Sequence, residues 1–201
     1  MTKTAAPMTS GSIWKQMTFF AMPIFLGNLF QQLYNTVDSL IVGNFLGSSA
    51  LAAVSSSGSL IFMLIGFLSG ISAGAGVIVA RFFGAGDEKN LQRAVHTTVA
   101  FGLVAGVLMT GVGVALSPQI LRWMDTPESV MRESVTYLQI YFAGSLGFVM
   151  YNVLVGILQA VGDSRHPLYY LIVSSVINLV LDLLFITGFH TGVGLSLIHI
   201  P

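Results

Sequence analysis

The stretch GNLFQQLYNTVDSLIVGN, residues 27–44, lies inside a long apolar run yet carries several amides and a carboxylate. Asn28, Gln31, Asn35 and Asp38 follow one another at steps of three, four and three. On a helix that spacing stacks four polar side chains along one stripe. A single polar line on an otherwise hydrophobic helix is expected to turn toward the interior of a helix bundle.

The composition names the solvent around that bundle. Of 201 residues, 8% are charged and 54% hydrophobic, against about 25% charged in soluble domains. The mean hydropathy is +0.83. Stretches of twenty or more residues with almost no charge recur, the mark of helical membrane spans. The reading is an all-α polytopic membrane protein with five transmembrane helices, at about 17–46, 50–80, 95–116, 135–161 and 167–186. No strand-period segment or soluble-domain linker interrupts them. Residues 1–16 form a polar segment before the first span. That span is too long for a cleaved signal peptide. No internal repeat is visible.

Charge balance sets orientation and excludes partners. With 8 basic and 8 acidic residues there is no basic surface for nucleic acid. The chain has no cysteine, so neither disulfides nor thiolate metal sites arise. If the N-terminus is cytoplasmic, Lys3, Lys15, Arg81, Lys89, Arg93 and Arg165 lie inside, and Arg122 and Arg132 outside. That bias predicts a multi-pass protein of the cell (inner) membrane with a cytoplasmic N-terminus. Between spans three and four, LRWMDTPESVMRESV carries Trp123 and Met131 among charges. It predicts a short interfacial helix with Thr126 as N-cap and Pro127 at the first helical position.

Asp87, Glu88, Asp125, Glu128, Glu133 and Asp163 fall in or beside loops, as solvated charges do. Asp38 and Asp182 fall inside spans. A carboxylate at mid-membrane costs about 2.5–3.5 kcal/mol on insertion scales, so it faces the protein interior and marks a pathway or proton site. Asp38 lies roughly 34 Å along a helix from Lys15, and Asp182 roughly 24 Å from His166, so both are expected in the outer half of the bilayer. Asn178 and Asp182 share a helix face, as Tyr34 and Asp38 do. Together they would offer two carboxylates, an amide and a phenol. Burial and a neighbouring like charge both disfavour ionisation, so such a pair can retain a proton near neutrality. Alternatively Na⁺ sits between the carboxylates, and the pair titrates as one unit. A plainer alternative has each aspartate only hydrogen-bonding a neighbouring helix.

Four stretches together resemble the multidrug and toxic compound extrusion (MATE) transporters: PIFLGNLFQQLYNTVDSLIVGNFLG, GISAGAGVIVARFFGAGD, GILQAVGDSRHP and VINLVLDLLFI. The resemblance runs from about residue 15 to 194. It implies a partial N-terminal six-helix lobe of a twelve-helix transporter, lacking its sixth helix and requiring a C-terminal lobe. It implies a Na⁺- or H⁺-coupled antiporter exporting cationic amphipathic drugs or metabolites by alternating access, with no cofactor and no enzymatic chemistry. It carries the coupling-ion site onto Asp38, Asn178 and Asp182, with Tyr34 beside it and Asn28, Gln31 and Asn35 supporting. Pro23 matches the proline at which the family's first helix bends. Independently, Pro23 lacks an N–H and crowds the carbonyl of Phe19, a weak point that neighbouring helices can satisfy.

The family pattern would continue into a sixth helix, but the chain ends SLIHIP. LSLIHI matches what the end of a sequencing adapter encodes in frame, so residues 195–201 are expected to be a non-native tail of a longer gene. Three other functions compete with an exporter. A lipid-precursor flippase would call for basic residues in its cavity, and the spans contain none. An intramembrane aspartyl protease would call for sequence contexts that YNTVDS and LVLDLL lack. A non-transporting membrane fragment is the third. Gly66, Gly70 and Gly74 suggest close helix packing. Methionines and phenylalanines suggest core and lipid faces, some lining a cavity between spans one, two and four. His96 reads as structural or interfacial.

Overall fold

The computed structural model describes residues 12–41 and 48–188, with side chains described except at 34, 38–41, 48–57, 179 and 181–188. Six helical segments follow in order: α1 (Ile13–Ile41), α2 (Ser48–Gly84), α3 (Glu88–Trp123), α4 (Glu128–Ala143), α5 (Ser145–Ala160) and α6 (Arg165–Gly188). The segments α4 and α5 meet at 47° across Gly144, so six segments make five rods. Gly58–Gly84 and Glu88–Trp123 are each long and apolar enough to cross a membrane, and the bent α4–α5 pair passes the same test jointly. The chain is an all-α polytopic membrane protein.

Helices overrun the apolar windows because their ends are capped by polar chemistry, which hydropathy does not register. α3 has 36 residues, about 54 Å of rise. Its first turn carries Glu88 and its last Arg122, each complementing the helix dipole. Pro118 inside α3 cannot donate to the carbonyl four residues earlier. Gln139 of α4 reaches across and donates its Nε2 to that carbonyl, Val114 O, at 3.4 Å.

The predicted interfacial helix is not a separate element. α3 runs through to Trp123, and α4 starts at Glu128 and continues into the fourth rod. Nor is Thr126 a cap: Pro127 holds that position with no side-chain cap bond. The Thr126 hydroxyl is buried without a hydrogen-bond partner.

The tight packing is on α3, not where the α2 glycines suggested it. A Cβ placed on Gly66, Gly70 or Gly74 would meet nothing within 4 Å, so these glycines close no helix interface among the described residues. A Cβ at Gly113 would sit 2.2 Å from the Phe142 ring, one at Gly106 2.6 Å from Leu146, and one at Gly102 2.9 Å from Val153. Across α2 and α5, Ser72 Oγ donates to Asn152 O at 2.6 Å, and a Cβ at Gly156 would meet that hydroxyl at 2.4 Å. Thr110 and Ser145 hydroxyls pair at 3.0 Å beside the Gly144 break. Leu121, Leu138 and Phe142 form the main core, with Leu68, Val149 and Val153 a second.

The structure also holds a repeat that the residue pattern hid. At the α2–α3 turn, Ala85, Gly86 and Asp87 donate their N–H groups to Arg81, Phe83 and Phe82 carbonyls. At the α5–α6 turn, Val161, Gly162 and Asp163 donate to Ile157, Gln159 and Leu158, the same bonds seventy-six positions on. Gly86 (φ 66°) and Gly162 (φ 88°) are both left-handed, where a side chain would be strained. Asp87 Oδ1 then accepts from Asn90 N at 3.1 Å and Asp163 Oδ1 from His166 N at 3.2 Å. The α3–α4 turn repeats the backbone bonds at Met124, Asp125 and Thr126, with Asp125 (φ 51°) in place of glycine.

Candidate functional site

α1 packs along α6, and α2, α3, α4 and α5 pack on one another. The α1–α6 seam closes at Gly27, which is buried; a Cβ there would lie 3.6 Å from Leu171 and 3.7 Å from Leu168. The two leucines lie at ordinary van der Waals distance from that position and mark where the helices come level; as the first and fifth rods of a polytopic chain, α1 and α6 cross in the same sense. Seven steps from Gly27 reach Tyr34 and seven from Leu171 reach Asn178; eleven steps reach Asp38 and Asp182. At equal rise per residue the two helix backbones therefore carry these positions at matching heights, to within about one turn. The side chains of Tyr34, Asp38 and Asp182 lie outside the described residues. Asn178 is partly buried.

Between the α1–α6 pair and the other helices is a cavity of about 620 Å³. α1 contributes Pro23, Asn28 and Gln31, so the lower half of the polar stripe faces it. Asn35 is exposed and does not line it. Pro23 sits inside the uninterrupted helix α1. Facing them are Ser69 and Ser72 of α2 and Tyr151, Asn152 and Gln159 of α5. Among the described residues, none that lines it is charged. Asn152 is committed, donating Nδ2 to Phe148 O at 2.9 Å. The amides of Asn28, Gln31 and Gln159 make no side-chain hydrogen bond among the described residues and are free to meet a guest. Such a wall can hydrogen-bond and stack on an amphipathic molecule without demanding a counter-charge from it.

Sequence reasoning placed span four at a cavity but expected an apolar wall and missed the polar side chains of α5. Their signal was present: Asn152, Gly156 and Gln159 recur at steps of four and three, the spacing of the α1 stripe. Two of the three are polar, so the line is easily taken for packing. Of the phenylalanines, Phe20 and Phe148 line the cavity, and no methionine does. α6 adds a fourth wall, with Leu168 and Leu171, to the three spans expected. No group of three or more His, Asp or Glu is gathered for a metal among the described residues.

The turn at the foot of the cavity is a polar knot. Besides His166 N, Asp163 Oδ1 accepts from Arg165 N at 3.2 Å, and Asp163 Oδ2 pairs with His166 Nδ1. Burial alone would push the Asp163 carboxyl up, but the His166 backbone and side-chain bonds, its charge, and the Arg165 amide outweigh it and hold it below the usual range. Asp87 is held low by the Asn90 backbone and side-chain bonds, with Arg93 adding a smaller charge effect.

Residues 23–184 match the MatE family model. The chain is 38% identical over 177 residues to "Probable multidrug resistance protein YoeA" of Bacillus subtilis, covering 88% of this chain and 38% of that protein. It is 35% identical over 189 residues to "Probable multidrug resistance protein YpnP" of the same organism, covering 94% and 42%. Among solved structures it is similar to an outward-facing multidrug resistance MATE family transporter, with TM-score 0.86 and 27% identity over 98% of this chain and 44% of that one. A MATE in the straight conformation gives TM-score 0.87 at 26% identity, covering 98% and 44%. The chain thus spans about two fifths of the relatives it matches.

Proposed function

The chain belongs to the MatE family, a family of transporters and not of enzymes, and on that premise we propose that it forms one lobe of a cation-coupled exporter. The coupling ion, Na⁺ or a proton, is held by Asp38 on α1 and by Asn178 and Asp182 on α6, with Tyr34 and Asn35 beside it. The cargo is a cationic amphipathic small molecule that meets the Asn28–Gln31 stripe and the Tyr151–Gln159 wall. Pro23 supplies a flexible point in α1 next to that cavity. The protein lies in the cell membrane with its N-terminus in the cytoplasm, as the basic residues at one end favour.

The observation that carries this reading is the α1–α6 register. Asp38 and Asp182 are each eleven steps beyond the Gly27–Leu171 contact, so one ion could engage both helices. Two carboxylates at one height suit Na⁺ or a shared proton better than two unrelated helix contacts. Alternating access then follows from the ion's dependence on which side the cavity faces. Among the described residues the cavity wall carries no basic group, which disfavours a flippase for pyrophosphate-linked lipids, whose anionic group would call for basic partners.

The test has two parts. In cells expressing the transporter with its complementary lobe, Asp38→Asn should abolish export of ethidium while membrane expression is kept. Undiminished export would sink the assignment. On this chain in nanodiscs, ²³Na relaxation should report binding that Asp38→Asn or Asp182→Asn removes. Proton coupling predicts no Na⁺ signal, but proton uptake that the same variants remove.

A further inference from the structure

The packing divides the lobe into two bodies. α2, α3, α4 and α5 are locked together by the close fits at Gly102, Gly106, Gly113 and Gly156. The hydrogen bonds Ser72 to Asn152, Thr110 with Ser145, and Gln139 to Val114 lie within that body. α6 leaves α5 after the turn and packs instead on α1. The 620 Å³ cavity occupies the space between. Its walls include Pro23, Asn28 and Leu171 from the pair, and Ser72, Tyr151 and Gln159 from the body.

The duplicated turn shows that this separation is not dictated by the link. Around Gly86 the same three backbone bonds, with an aspartate accepting from the amide three residues on, join α2 and α3, which do pack on each other. Glu88 N to Gly86 O and Leu91 N to Asp87 O add two more there, and Pro167 stands where Leu91 would be in the second turn. Around Gly162 the shared bonds join two helices that scarcely touch. The three shared bonds therefore accommodate a closed and a splayed hairpin. The angle between α5 and α6 can change without breaking the turn's bonds.

We propose that α1 and α6 move as one rigid pair against the α2–α5 body, pivoting at the Gly162–Asp163 turn. The seam that travels is the one Gly27 makes with Leu168 and Leu171. The cavity narrows or widens by displacement of the whole pair, not by bending of α1 alone. That motion does not depend on which ion or cargo is carried.

The chain lacks cysteine, so paired spin labels can be placed uniquely. Phe25 on α1, Val173 on α6 and Val104 on α3 are 62%, 57% and 60% exposed, suited to labels that leave packing intact. Three doubly labelled chains in nanodiscs give three distance distributions. The expected result is a narrow Phe25–Val173 distance, with both distances to Val104 broad or bimodal. Narrow distributions for all three pairs would overturn the proposal in favour of one rigid lobe. So would a narrow Val104–Val173 distance with both distances to Phe25 broad, because α1 would then move alone. Leu108, 61% exposed, serves as an alternative α3 site if the Val104 variant folds poorly. A Gly27→Cys and Leu171→Cys disulfide adds an independent measure. Locking the seam should leave both distances to α3 as broad as before, and their collapse to one narrow peak would count against a rigid pair.

Discussion

Two turns that share three backbone hydrogen bonds and an aspartate side-chain bond lead to different outcomes. After Gly86 the chain folds back onto the helix it has just left, and after Gly162 it departs from α5 and lies against α1. Local chemistry thus reverses the chain and caps the next helix, and no more. What closes α3 onto its neighbours is the row of glycines at 102, 106 and 113, each with a side chain of α4 or α5 seated where its own would be. α6 offers its neighbours no such row. Among the described residues its glycine contact is with Gly27 on α1, at an ordinary van der Waals distance. Turns give direction, and packing gives angle.

The comparison breaks first at the glycines. Gly113→Ala puts a Cβ 2.2 Å from the Phe142 ring, and the ring, itself in the core, has little room to retreat. Overpacking of this kind costs about 1–3 kcal/mol, so the thermal midpoint in detergent should fall clearly. Gly70→Ala meets nothing within 4 Å, and a helix interior gains about 0.5–1 kcal/mol from the exchange. Its midpoint should hold or rise. A fall at Gly70 as large as at Gly113 would show that α2's glycines pack after all, and the two-body division would lose its basis.

Next come the turns themselves. Gly86→Ala and Gly162→Ala both force a side chain into a left-handed conformation, at about 1–2 kcal/mol. If the two turns are one element used twice, the two midpoint losses should agree. A much smaller loss at Gly162 would mean that the splayed hairpin relaxes its turn, and the pivot would have to be placed elsewhere.

These particulars also explain what could be read from the residues. The rods, their number and the polar stripe of α1 follow from apolar length and from spacing, which are properties of one segment at a time. The Gly27–Leu171 register belongs to a pair of helices, and no single-segment pattern contains it. The glycine reading failed for the same reason. Gly66, Gly70 and Gly74 have the spacing of an interface but no partner in reach among the described residues, whereas Gly102, Gly106 and Gly113 mix steps of four and seven and make the contact. The duplicated turn was written in full as GDEKN and GDSRH. Only its first two letters match, and the equivalence of Asn90 with His166 is one of hydrogen-bonding role. The coupling residues stay a proposal resting on resemblance and on backbone register.

The smallest effect sharpens the comparison furthest. Both capping carboxyls are held below the ordinary value of 3.8. A group whose folded value is depressed lends stability that is full above its unfolded value and is lost as pH falls through the folded one. Asparagine caps a helix about as well but cannot ionise. The advantage of the native chain over Asp87→Asn or Asp163→Asn should therefore be full near neutrality and vanish as pH falls below 3.8. The two turns differ in what faces the carboxylate. Asn90 is a neutral amide, with Nδ2 at 2.6 Å from Asp87 Oδ2, while His166 brings a charge when protonated. Salt should accordingly erode the Asp163 advantage, measured where His166 is protonated, more than the Asp87 advantage, since screening acts on charge pairs first. His166→Asn, which copies the Asn90 arrangement into the second turn, should bring the two salt dependences together. If the gap survives that exchange, it comes from the Arg93 and Arg165 surroundings, and the two turns are less alike than their backbone bonds make them.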